Sequence, residues 1–141
     1  MYNQPFQKGL SQLIVDTLRE PPGLGKFVIT DYLAYGPVAT FNLVRSMLAY
    51  PTTERIAELT LPTLVVLGSR DPFVSERWVK HRARGLPHVT AVTIHGPAHA
   101  INYSHPEQLS NVVRSWMADE PIVDDPALPG RVQVFLTPTE S

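Results

Sequence analysis

The sequence predicts an α/β chain: a parallel β-α-β-α unit preceded by a layer of helices. Three observations carry this. Thr63 to Leu67 is a continuous apolar, β-branched run, the pattern of a parallel strand covered on both faces by helices. Val89 to Ile94 repeats that character, beyond a helical stretch that Gly85 and Pro87 close. Finally, Leu109, Val112, Val113, Trp116 and Met117 recur at the spacing of one helix face.

The elements follow in order. Leu10, Leu13, Ile14 and Leu18 sit at i, i+3, i+4 and i+8, and Pro21-Pro22-Gly23 ends that run. A helix over Phe27 to Tyr35 stops at Gly36-Pro37; the next carries Phe41, Val44 and Leu48 on one face and ends at Tyr50-Pro51. A short helix from Glu54 to Leu59 leads into the first strand. After that strand Gly68 permits a sharp exit, Asp71-Pro72 holds extended geometry, and Ser75 is placed to cap a helix reaching Arg84. The second strand gives way to Gly96-Pro97 and the last helix. Ser104 and Glu107 have capping-box spacing there, while Pro106 makes His105 an equal candidate for the cap.

Three segments result: helical residues 1–59, an α/β unit over 60–118, and a tail over 119–141 that is acidic at first and holds four prolines. The tail composition predicts loose packing. Within it, Arg131 to Leu136 alternates around Val132, Val134 and Leu136, which fits an edge strand or a docking segment.

Twelve basic residues against thirteen acidic ones leave no basic excess for nucleic acid or an anionic membrane. There are no cysteines, which removes disulfides, thiolate metal sites and a cysteine nucleophile. No apolar run approaches a membrane span and the first residues are polar, so a soluble cytoplasmic protein is expected.

The chemistry concentrates at two strand ends. Asp71 lies just beyond the first strand and His99 just beyond the second, where doubly wound sheets place functional groups. There a carboxylate fixes the tautomer of an imidazole and stabilises its cation while the imidazole moves protons. A turn aspartate and a solvated loop histidine are the plainer readings of each residue alone; their joint order on consecutive βα units favours the catalytic one. His95 and His99, four apart, span a strand end and a turn rather than a helix, so no metal site is assigned.

The stretches Leu61-Pro62-Thr63-Leu64-Val65-Val66-Leu67-Gly68-Ser69-Arg70-Asp71-Pro72-Phe73-Val74 and Ile94-His95-Gly96-Pro97-Ala98-His99, followed by His105-Pro106-Glu107, resemble the carboxy-terminal part of the α/β-hydrolase fold. The resemblance covers residues 59 to about 117. It implies that Asp71 is the triad acid, His99 the general base and residues 1–59 a helical cap, whose Leu24, Phe27, Tyr32, Tyr35, Phe41 and Met47 face substrate or simply pack helices. It further implies hydrolysis of an ester, lactone or related bond in a small molecule, without a cofactor. No Gly-x-Ser-x-Gly elbow occurs, and Gly9-Leu10-Ser11-Gln12-Leu13 is a poor substitute. The expectation is therefore a truncated or split hydrolase that needs a complementary chain or a homo-oligomer; a non-catalytic binding or assembly module on the same scaffold is the alternative.

Overall fold

Proline decides where the first described helices begin. In the computed structural model, which describes residues 12, 15, 16, 18–83, 86 and 88–138 and the backbone alone at 48, 52, 53 and 57, α1 spans Pro22–Tyr35 and α2 spans Pro37–Ala49. Each has a proline in its first turn, where a missing N–H costs nothing and φ is already helical. The helix expected from Phe27 thus starts at Pro22, because Pro21-Pro22 ends one helical stretch and opens the next. Gln12, Asp16, Leu18 and Arg19 belong to that preceding stretch, with Leu18 on the exposed side. Leu10, Ser11, Leu13 and Ile14 lie outside the described residues. The short α3 covers Thr52–Ala57, two residues ahead of the expected span.

Three strands form one sheet. β1, Thr63–Gly68, pairs in parallel with β2, Val89–Ile94, in a register running from Thr63 opposite Val89 to Gly68 opposite Ile94. α4, Glu76–Arg82, forms the crossover, and Ser75 caps it by accepting a hydrogen bond from the Trp78 N–H at 3.3 Å. α5, Ile101–Ser104, and α6, Pro106–Met117, follow β2. Ser104 belongs to α5, so the N-cap position of α6 falls to His105, without a side-chain cap bond.

The period of two along the strands builds a core on each face. On one face Val92, Ile94 and Val132 pack with Ile101 and Val112, joined by Leu64, Val66 and Leu109. On the other, Leu67 and Ala91 pack with Val79, joined by Val65, Trp78 and Phe135. All six residues of β2 are buried, which is why that run carries no polar alternation. No helix among the described residues is long and apolar enough to cross a membrane.

Beyond Asp119 the alternating segment forms a strand. β3, Val132–Leu136, lies antiparallel on the far edge of β2 and completes a sheet ordered β1-β2-β3. Its approach is fastened by a buried amide: Gln108 of α6, 1% exposed, donates to the Gly130 carbonyl at 3.0 Å and to Asp124 Oδ1 at 3.4 Å. Asp124 Oδ1 in turn accepts the Val132 N–H at 2.8 Å. Of the two readings for Arg131 to Leu136, the structure takes the edge strand.

Candidate active site

Both candidate residues lie on loops at the carboxyl ends of adjacent parallel strands, and backbone geometry brings these loops into contact. The Arg70 N–H donates to the Pro97 carbonyl at 3.0 Å, and the Gly96 N–H donates to Ser69 Oγ at 3.0 Å. Gly68 makes the approach possible. A Cβ there would collide with the carbonyl oxygens of Pro97 and Ala98, so a side chain at 68 would force the two loops apart. Gly96 turns at φ +118°, a conformation open to glycine, and so directs the chain back over β1 toward His99.

Within this frame Asp71 is held by its own loop. Its Oδ1 accepts from the N–H groups of Phe73 at 2.7 Å and Val74 at 3.1 Å, a local turn that Pro72 pre-sets. Its Oδ2 is 2.9 Å from Nδ1 of His99. The Asp71 side chain is 5% exposed and that of His99 56%. The pair is therefore buried on the acid side and open on the imidazole side. With Nδ1 engaged, Nε2 is the ring nitrogen left for proton transfer. The Phe73 ring meets the imidazole edge-on at 5.0 Å between centroids, limiting its rotation.

Electrostatics agree with the contact. Burial pushes the Asp71 carboxyl up, but the hydrogen bonds from His99, Phe73 and Val74 outweigh it and hold the group below its ordinary value. The hydrogen bond to Asp71 raises His99 above its ordinary value; burial opposes this, and the negative charges of Asp71, Asp16 and Glu20 add to the rise.

Asp16 and Glu20 escaped notice in the sequence. Asp16 Oδ1 accepts the His99 N–H at 3.3 Å and Glu20 Oε1 accepts the Ala100 N–H at 2.7 Å. Ser69, whose hydroxyl bridges the two loops, escaped as well. Their partners are main-chain groups, which leave no trace in residue spacing; the one available signal was the four-residue repeat Gln12, Asp16, Glu20 along a helix. His95 points elsewhere, its Nε2 lying 3.1 Å from Gln133 Oε1 on β3. Among the described residues no group of three His, Cys, Asp or Glu is placed to hold a metal ion. A cavity of about 610 Å3 lined by Pro62, His88, Thr90 and Trp116 lies at the amino ends of β1 and β2, away from Asp71 and His99.

With this geometry in view, one likeness bears on function. The chain is 31% identical over 85 residues to the protein named "Putative carbamate hydrolase RutD" of Pseudomonas syringae pv. syringae (strain B728a). The match takes in 58% of this chain and 33% of that protein, so the chain spans about a third of its relative's length. No protein-family model and no solved structure matches the chain.

Proposed function

We propose that this chain supplies the acid and the general base of an α/β-hydrolase acting on an ester, lactone or related carbonyl bond, with Asp71 as the acid and His99 as the base. The observation that carries this reading is the 2.9 Å contact between Asp71 Oδ2 and His99 Nδ1 at the ends of two parallel strands. In this reading His99 Nε2 takes the proton of an attacking hydroxyl and returns it to the leaving group, while Asp71 keeps the ring oriented and balances its positive charge. The 141 residues contain no Gly-x-Ser-x-Gly elbow. The attacking group therefore comes from a complementary polypeptide segment, and the chain by itself is inactive.

The test is complementation. The chain is co-purified with the part of the Pseudomonas relative that lies outside the match, and hydrolysis of p-nitrophenyl esters is followed. The reading requires activity that appears only with both parts and disappears with His99→Ala. Hydrolysis by the chain alone, unaffected by His99→Ala, would overturn it.

One observation favours a second reading, that of a non-catalytic assembly module. No residue of α1 is buried, and Leu33 and Val38 are 77% and 73% exposed. Apolar surface of this kind on a helical hairpin fits a partner's cover. A stable complex that forms equally well with His99→Ala and hydrolyses nothing would favour this role.

A further inference from the structure

The helical stretch before α1 crosses both loops of the candidate site, and its bonding is matched to each. Gln12 Nε2 donates to the Pro72 carbonyl at 2.6 Å, and Arg19 Nη1 donates to the Arg70 carbonyl at 2.8 Å. Both donors thus meet the loop that carries Asp71. The acceptors meet the other loop: Asp16 takes the N–H of His99, and Glu20 takes the N–H of Ala100. Gln12, Asp16 and Glu20 are four residues apart and so share one helix face. Their partners lie 60, 83 and 80 residues away in sequence.

Glu20 is the unusual member. It is 8% exposed, and its second oxygen, Oε2, is buried without a hydrogen-bond partner among the described residues. A backbone N–H is satisfied as well by a neutral amide oxygen, whereas a buried carboxylate carries a desolvation cost. The negative charge of Glu20 adds to the rise of the His99 imidazole, behind the contributions of Asp71 and Asp16. Burial and the neighbouring Glu20 charge hold the Asp16 carboxyl above its ordinary value, against the opposing pull of His99, so these groups form one interacting set with Asp71.

We propose that Asp16 and Glu20 are positioning residues for His99, fixing its loop through the His99 and Ala100 N–H groups and placing negative charge beside its imidazole. The inference rests on the Asp71–His99 pair being the working pair of the proposed hydrolase. Asp71 orients the ring from the side chain; Asp16 and Glu20 hold the same residue from its main chain. The helical stretch then acts as a strap, setting the distance between the acid loop and the histidine loop.

Two readouts on the purified chain test this without any hydrolysis, so an inactive protein does not confuse it with the functional reading. Hydrogen exchange of the His99 and Ala100 amides reports the fastening; an NMR titration of the His99 imidazole reports the charge. Asp16→Ala and Glu20→Ala should speed exchange of the respective amide about tenfold, the loss of one hydrogen bond. Asp16→Asn and Glu20→Gln keep an acceptor oxygen, so they should retain protection and lower the His99 midpoint. These conservative variants carry the test if the alanine variants unfold. Unchanged exchange in the folded alanine variants, or an unmoved midpoint in the amide variants, would overturn the proposal.

Discussion

Asp71 and His99 make a pair whose worth depends on pH, and the direction follows from their shifts. Asp71, held below its ordinary 3.8, adds stability above that value and loses it as acid protonates the carboxylate. His99, raised above its ordinary 6.5, adds stability below that value and loses it as alkali deprotonates the ring. The contribution of the pair is therefore largest between about pH 4 and 6.5. Since the imidazole is half exposed, it amounts to about 1 kcal/mol. Asp71→Asn should lower the urea midpoint near pH 5.5 more than near pH 8.5, and the His99 titration should move down. Equal losses at both pH values would mean that packing, not charge, holds the pair. Gly68 supports the same contact from beneath. Gly68→Ala should destabilise the chain by about 1–3 kcal/mol and, by separating the loops, lower the His99 midpoint although neither partner is altered; thermal unfolding and the same titration measure the two effects.

At the scale of elements, the attachment of β3 is the most exposed to test. Gln108→Ala leaves the part-buried Gly130 carbonyl without its donor, removes one of the two hydrogen bonds to Asp124 and opens a cavity, a combination worth about 2–3 kcal/mol in urea unfolding. How much of this was legible in the sequence differs from element to element. β1 and β2 could be read because burial on both faces writes itself as an unbroken apolar run, and α6 because Leu109 and Val112 of its apolar face meet the core, although Met117 at the end of that face is 74% exposed. The start of α1 was hidden by two prolines that serve one helix as a stop and the next as a first turn. β3 was half legible: its alternation showed in Val132, Val134 and Leu136, but the amide that anchors it lies on α6, and composition argued for looseness. Asp71 and His99 were visible because their side chains do the bonding. Ser69, Asp16 and Glu20 were not, because each works on main-chain groups that any residue provides.

For the molecule as a whole, the helices α1 and α2 contrast with the sheet. The sheet buries both faces, while the helical pair turns Phe27, Leu33, Val38 and Met47 outward, all well exposed. Such a surface drives association in water. Sedimentation at micromolar concentration should show the chain self-associated, and the combined change Leu33→Glu, Val38→Glu and Met47→Glu should shift it to monomer without altering the thermal midpoint of the sheet. A compact monomer in the unaltered chain would mean that these side chains find cover within it.

The position of β3 has a directional consequence. Because it runs antiparallel along the far edge of β2, the free edges of the sheet among the described residues are those of β1 and β3, and the edge of β1 is the one that leads into the Asp71 loop. A strand recruited there in parallel would end beside the Asp71 loop; β1 and β2 are already hydrogen-bonded to one another, so it has no place between acid and histidine. Whatever group such a strand delivers must reach over Asp71 to meet Nε2 of His99. In the proposed reading that route asks for a side chain lifted above the rim on a sharp turn, and the height of the incoming turn, more than the identity of the strand, would decide whether a partner completes the site.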